Sequence, residues 1–215
     1  MERCENVFQN STSTPEKISR RINLFIEEQV KQKVTIQVNL PKVNRINRHW
    51  NPPPVNMMTM NCDGSFCDIS KMGGIGLIIR NRAGHSQATR IFHMRNICNA
   101  KQAEGLRLWE DVKWATELKL DNVLFELDCK VIVDVVNKEV SYIDWRLSNL
   151  IKDIKLYFSS NSSWNCSYVP KECNRAADAL SRLARTDNLS EVWFKNAPPV
   201  ITSILQEDAR YVRLP

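Results

Sequence analysis

The chain has 215 residues, of which 43% are hydrophobic and 25% are charged, and its formal net charge is +6. This length allows one domain of ordinary size with extensions, and this composition excludes a chain that is disordered throughout. The longest apolar runs, such as 75–79, are too short to cross a membrane, and residues 1–10 lack the basic start and apolar core of a signal peptide. We therefore expect a soluble, intracellular protein with no membrane partner.

The cysteines and histidines argue against two kinds of site. Seven cysteines without any Cys-x-x-Cys pair fit neither a disulfide framework nor a zinc module, so we expect reduced thiols. The three histidines lie far in the sequence from any acidic motif. A metal site built from imidazole groups is therefore not expected.

Residues 1–54 form a separate N-terminal region. The segment 13–16 has the pattern of a helix start, and apolar residues then recur at helical spacing over 15–30, which predicts an amphipathic helix that either binds a partner or docks loosely. Residues 31–54 hold five basic residues and no acidic one. This stretch could track a phosphate backbone or be a solvated linker, and both interpretations stay open. Pro52-Pro53-Pro54 marks the boundary of the next domain.

The region after the prolines predicts an α/β domain. Three strand-like segments with short connections indicate an antiparallel meander, and strands that alternate with helices indicate parallel crossovers. We predict a mixed five-stranded sheet, with three antiparallel strands and two parallel ones, flanked by helices. The domains are then 1–54, 55–187 and a C-terminal tail at 188–215. The predicted strands are 55–62, 74–81, 86–94, 122–127 and 164–169, and the predicted helices are 100–118, 129–138, 144–158 and 173–186.

Four acidic residues lie at the ends of these elements. Asp63 ends the first strand, Glu104 lies in the first turn of the first long helix, Asp128 ends the fourth strand, and Asp178 lies near the start of the last helix. Each has a structural interpretation when taken alone: a turn for Asp63, helix-dipole interactions for Glu104 and Asp178, and an N-cap for Asp128. Ligands gather at the carboxyl ends of parallel strands, where Asp63 and Asp128 lie if their strands are neighbours.

Taken together and in order, these residues resemble a known family. The fragments are Asn61-Cys62-Asp63-Gly64-Ser65-Phe66, Gly74 to Arg80, Ala103-Glu104, Glu126-Leu127-Asp128 and Tyr168 to Leu180. Over roughly 52–187 the chain resembles the ribonuclease H type 1-like, reverse-transcriptase-like domain of plant non-LTR retroelement-derived proteins. The resemblance implies a ribonuclease H-like fold.

It also implies an activity, which is hydrolysis of the RNA strand of RNA–DNA hybrids. Two Mg²⁺ ions, or Mn²⁺ in their place, would be held by Asp63, Glu104, Asp128 and Asp178. The physical chemistry agrees with this expectation, because four carboxylates in one cleft repel each other unless cations are present, and Mg²⁺ prefers oxygen ligands.

Contacts with nucleic acid are expected around this site. Glycines at 73–76 either allow close approach of a duplex or form a hairpin turn, and Arg182 and Arg185 either bind hybrid or complement a helix C-terminus. The candidate nucleic-acid-binding residues are Gly64, Ser65, Lys171, Asn174 and Arg175.

Two departures from the family leave a second function open. The loop 170–173 has no histidine, and Tyr168 stands where many plant members have one. General acid-base help is worth about 10² to 10⁴ in rate. The alternative is a nucleic-acid-binding module that is catalytically weak or inactive, and a third interpretation is a protein-interacting remnant that acts through the helix at 15–30. No obligate protein partner is evident.

Overall fold

A computed structural model describes residues 49–95, 100–137 and 148–212, without the side chains of 100–105. The predicted helix at 15–30 and the basic stretch before residue 49 lie outside these residues. Asn47–Pro215 form one compact unit. In the described part of the chain Cys62, Cys67 and Cys166 are free thiols, as predicted.

One mixed sheet organises the described part of the chain. Its strand order is β5-β4-β1-β2-β3-β6. The pairs β1–β2 and β2–β3 are antiparallel, whereas β4 is parallel to β1 and β5 is parallel to β4. This confirms the predicted meander joined to two parallel strands. The strands are β1 (Met58–Cys67), β2 (Met72–Arg80), β3 (Ser86–Met94), β4 (Val123–Leu127), β5 (Asn165–Tyr168) and β6 (Glu191–Phe194).

Helices cover both faces of the sheet. They are α1 (Ala100–Glu117), α2 (Lys130–Asn137), α3 (Ser148–Ser160), α4 (Arg175–Thr186) and α5 (Pro199–Ala209), with a 3₁₀ turn at Lys171–Cys173. The start of the helix predicted at 144–158 lies outside the described residues. Within the described part, none of the helices combines the length and the apolar character needed to span a bilayer.

The helices enclose one apolar layer on each side of the sheet. On the α1 side, Leu108 and Val112 pack with Met60, Leu77 and Phe125 of the strands, and all five are fully buried. On the opposite side, apolar residues of α4 and α5 cover Ile78 of β2 and Ile91 of β3. The covering residues are Ala177, Leu180, Ala184 and Ile201. Successive side chains of β2 point alternately into the two apolar layers, as expected for a strand that is covered on both faces.

The C-terminal region adds a strand and a helix to this unit. The prediction of five strands is one short, because β6 pairs antiparallel with β3, with Ala88 opposite Phe194 and Ile91 opposite Glu191. Helix α5 packs on α4. Residues 188–212, predicted as a tail outside the domain, therefore extend the sheet and cover α4.

The first hairpin differs from the prediction. Strand β1 does not end at Asp63 but continues to Cys67, and Asp63 pairs with Gly76 of β2. The predicted turn at Gly73-Gly74 is wrong, since both glycines lie inside β2. A Cβ atom at Gly76 would lie 2.4 Å from the backbone nitrogen of Ser181. Missing side chains in β2 therefore let α4 approach the sheet closely.

A buried polar network fixes Trp50 and α5 to the sheet. The guanidinium of Arg80, at 1% exposure, donates to Asp208 Oδ2 at 2.7 Å and to Asn61 Oδ1 at 2.8 Å. Asn61 Nδ2 and Trp50 Nε1 both donate to Glu126 Oε2, at 2.7 and 3.1 Å. Arg80 also stacks 3.8 Å from the centre of the Trp50 ring. Each charged group in the network therefore has a partner, as burial of charge requires.

Candidate functional site

The parallel pairing of β1 and β4 places two of the predicted acids at the same level of the sheet. Asn61 is opposite Glu126, so that Asp63 and Asp128, each two residues further on, lie side by side. Asp178 comes from the first turn of α4, which packs on β1 and β2. Asp63, Asp128 and Asp178 all line one cavity of about 600 Å³. We call this cavity the cleft.

Glu104 is the fourth predicted acid. Its backbone lies in the second turn of α1, and its side chain lies outside the described residues. The structure therefore brings three of the four predicted carboxylates together. The role of Glu104 stays a prediction.

A residue that the sequence analysis did not select lies between two of these carboxylates. Arg107 of α1 donates from one nitrogen, Nη1, to Asp63 Oδ1 at 2.9 Å and to Asp128 Oδ1 at 3.1 Å. Its side chain is only 3% exposed. Burial lowers the pKa of Arg107, but the nearby acidic groups of Cys62, Asp128 and Asp63 raise it by more. The guanidinium therefore stays charged.

The pKa of Asp63 reflects the crowding of negative charge in the cleft. Burial raises this pKa from 3.8 to about 6, and the carboxylates of Asp128 and Asp178 act in the same direction. Arg107 and the backbone N–H of Gly64 oppose the shift. Desolvation and like charge together therefore outweigh the single ion pair.

Asp178 has its own cationic partners. Arg182, one turn later on α4, approaches Asp178 with Nη2 at 3.0 Å and Nε at 3.2 Å, and Lys171 Nζ lies 3.9 Å away. The side chain of Arg182 is 58% exposed, and that of Lys171 is 66% exposed. Both ion pairs are therefore weak, because solvent screens the charges of exposed side chains.

The predicted nucleic-acid-binding residues divide into two groups. Gly64, Ser65 and Lys171 line the cleft. Asn174 is buried and donates to the backbone oxygen of Cys62 at 2.8 Å, and Arg175 pairs with Glu207 on α5. Neither of these two is among the residues that line the cleft.

Ser65 orients another basic residue of the cleft. Its hydroxyl donates to the Ser181 backbone oxygen at 2.8 Å and accepts from Arg185 Nε at 3.2 Å. The hydroxyl of Ser181 reaches Asp63 Oδ2 at 3.3 Å. These contacts tie α4 to β1 at the cleft, which both Arg185 and Asp63 line.

Comparison with known proteins identifies the fold and the family. A family model described as Reverse transcriptase-like matches residues 61–184. The chain belongs to the reverse transcriptase-like family. An Arabidopsis thaliana protein named "Putative ribonuclease H protein" is 25% identical over 213 residues, which make up 96% of this chain and 33% of that protein. The chain thus spans about a third of this relative's length.

Solved ribonuclease H1 structures have the same fold. The enzyme of the archaeon Halobacterium salinarum is 18% identical with a TM-score of 0.56, and the match covers 61% of this chain and 98% of that one. A ribonuclease H1 called LC11, crystallised with an RNA/DNA hybrid, is 18% identical with a TM-score of 0.55, covering 62% and 99%. This confirms the predicted ribonuclease H-like α/β fold. The identities are too low to carry a residue's role from these structures to this chain.

The reverse transcriptase-like domain of this chain has oxygen ligands that a metal ion could use. The space between two of them, Asp63 and Asp128, is however already filled by the guanidinium of Arg107. Carboxylates are suitable donors for Mg²⁺ or Mn²⁺. However, Arg107 already bridges Asp63 and Asp128, and in the described part of the chain no three His, Cys, Asp or Glu side chains form a group able to hold a metal ion. The side chains as they stand therefore do not fit an ion that Asp63 and Asp128 share.

Proposed function

We propose that this domain binds RNA–DNA hybrid duplexes in the cleft. The observation that carries the proposal is the charge of the cleft wall. Among the described residues that line it, five basic side chains face three carboxylates. The cleft is therefore net positive without any added cation, which suits a polyanionic ligand. The basic residues are Arg107, Lys130, Lys171, Arg182 and Arg185.

Hybrid is the preferred duplex on two grounds. The fold is that of a ribonuclease H1 that crystallised with an RNA/DNA hybrid. In addition, Gly64 and Ser65 bring the β1 backbone to the wall of the cleft, where it can approach a minor groove that displays ribose 2′-hydroxyls. Lys171 and Arg185 would then contact the phosphates on either side.

Fluorescence anisotropy with labelled duplexes tests this proposal. Hybrid, DNA and RNA duplexes of one sequence are titrated with the full chain over a range of salt concentrations. Lys171→Ala and Arg185→Ala should each weaken hybrid binding roughly tenfold and lower the salt slope by about one. The matched controls, Lys152→Ala on α3 and Arg210→Ala after α5, replace exposed residues that do not line the cleft. Equal binding of all three duplexes, or equal losses in the controls, would refute hybrid recognition by the cleft.

A second candidate function is hydrolysis of the RNA strand of the same hybrid. It is favoured by Asp63, Asp128 and Asp178, which line one cleft in the order that the family resemblance implies. Such hydrolysis is expected to need Mg²⁺ or Mn²⁺, and Arg107 lies where two of the carboxylates would share an ion.

Gel cleavage of end-labelled hybrid separates the two functions. Cutting that needs Mg²⁺ or Mn²⁺ and is lost in both Asp63→Asn and Asp128→Asn would establish the hydrolase. Hybrid binding without cutting in either metal would leave the binding function alone.

A further inference from the structure

One nitrogen of Arg107 takes up the position that a bridging cation would have between two carboxylates. Nη1 lies 2.9 Å from Asp63 Oδ1 and 3.1 Å from Asp128 Oδ1. The two acids come from neighbouring parallel strands, and Arg107 comes from α1, which packs on β1. The contact therefore joins three elements at one atom.

The position of Arg107 is fixed by burial. Its side chain is 3% exposed, compared with 58% for Arg182 at the rim of the same cleft. One turn further along α1, Asp111 is completely buried and interacts electrostatically with Arg107. Among the described residues, neither Nε nor Nη2 of Arg107 has a hydrogen-bond partner. The charge around the guanidinium, and not a complete set of hydrogen bonds to the described residues, therefore holds it there.

We propose that Arg107 is the resident cation of this site and takes the place of a divalent metal ion between Asp63 and Asp128. The cleft thereby keeps its carboxylates together without metal. This inference rests on the cleft geometry and not on hybrid binding, and so its test uses metal binding and thermal unfolding only.

The inference predicts that a metal site appears when Arg107 is shortened. In Arg107→Ala, Asp63 and Asp128 face each other across vacated space, without a charge between them. Their mutual repulsion should lower the melting temperature at neutral pH, and a divalent ion should then bind and restore it. At about a hundred times its dissociation constant, that ion should raise the melting temperature by roughly 5 to 10 °C.

Mn²⁺ titration followed by electron paramagnetic resonance measures this directly, because bound Mn²⁺ loses the signal of the free ion. The full-length wild type should bind no Mn²⁺ that depends on Asp63, and Arg107→Ala should bind one ion. The double variant Arg107→Ala/Asp63→Asn should lose that ion again. Thermal unfolding with Mn²⁺, and with NaCl of matched ionic strength, supplies the second readout.

Two further variants test whether a Mn²⁺ site requires loss of the positive charge at Arg107, or whether removing any arginine from the cleft is enough. Arg107→Lys keeps one positive charge and should gain no Mn²⁺ site. Arg185→Ala removes an arginine that lines the same cleft but contacts Ser65 instead of a carboxylate, and it should also gain none.

Two results would overturn the inference. One is Mn²⁺ binding by the wild type that Asp63→Asn abolishes, a measurement that needs no Arg107 variant to fold. The other is a folded Arg107→Ala protein that binds no Mn²⁺. If Arg107→Ala does not fold without metal, it should fold when Mn²⁺ is present during refolding, and failure to do so counts against the inference.

Discussion

Replacing Asp63 by asparagine should remove a pH dependence that this carboxylate gives to folding. Burial and neighbouring carboxylates raise the pKa of Asp63 from 3.8 to about 6 in the folded chain. A raised pKa means that the folded state binds the proton more tightly than the unfolded state does. The resulting stability is therefore fully present below pH 3.8 and is lost as the pH rises through about 6.

The size of the effect follows from the two pKa values. Each unit of pKa difference corresponds to about 1.4 kcal/mol, so the whole shift is worth about 3 kcal/mol. Most of this change in the free energy of unfolding occurs between about pH 4 and pH 7. Over that interval the wild type should lose about 2 kcal/mol of stability through the ionisation of Asp63. Asparagine has nearly the same shape and does not titrate. The unfolding free energy of Asp63→Asn minus that of the wild type should therefore rise by this amount across the interval.

Urea unfolding of both proteins at several pH values measures this difference. Asp153→Asn is the matched control, because Asp153 lies exposed on α3 outside the cleft, and its difference from the wild type should change little with pH. A difference for Asp63→Asn that stays flat, or that falls as the pH rises, would refute the reasoning. It would mean that the ion pair with Arg107 outweighs burial and the other carboxylates.

Two further substitutions test the packing around the sheet. Asp208→Asn leaves Arg80 buried without its counter-charge and should lower the free energy of unfolding by about 3 to 5 kcal/mol. The matched control is Glu207→Gln, which breaks an exposed ion pair with Arg175 and should lower the free energy of unfolding by less than about 1 kcal/mol. Urea unfolding measures both, and equal costs would contradict the role of burial. Gly76→Ala forces a Cβ to within 2.4 Å of the Ser181 backbone nitrogen and should cost about 1 to 3 kcal/mol. It should also weaken hybrid binding, because α4 carries Arg182 and Arg185 of the cleft wall. Unchanged unfolding would contradict that contact.

The carboxylates could be selected from sequence because each lies at a recognisable position. Asp128 follows the apolar strand β4 directly, and Asp178 lies in the first turn of a strongly patterned helix. Parallel pairing of β1 and β4 then places Asp63 beside Asp128. The order of elements alone left that neighbouring relation open, and it was the resemblance to the ribonuclease H-like family that implied a shared site for these residues.

The misplaced end of β1 has a tertiary cause. After Cys62 the sequence has no run of apolar residues, and Asp63-Gly64 has the composition of a turn. The strand continues because β2 pairs with it as far as Cys67, with glycines that accept the close packing of α4. Strand β6 was missed for a related reason. It is short and largely exposed at the sheet edge, and therefore carries little hydrophobic periodicity.

Arg107 was missed because a charged residue on a helix is normally read as part of the solvated face. One signal was available, since Glu104, Arg107 and Asp111 are three and four residues apart and so share a face of α1. The spacing does not reveal burial, however. The partners of Arg107 are 44 and 21 residues away in the chain, on β1 and β4, and only the folded sheet brings them to the helix.

An arginine at this position has a different chemical capacity from a metal ion. The guanidinium neutralises carboxylates and donates hydrogen bonds, but it has no open coordination position and does not generate a hydroxide nucleophile as a bound metal ion does. It is also part of the chain, so chelators cannot remove it. A cleft organised by Arg107 can therefore keep the fold, the carboxylates and a net positive wall for binding a duplex, while losing the means to activate water between Asp63 and Asp128. Arg107 thus provides one physical reason why binding and cutting can separate in this domain.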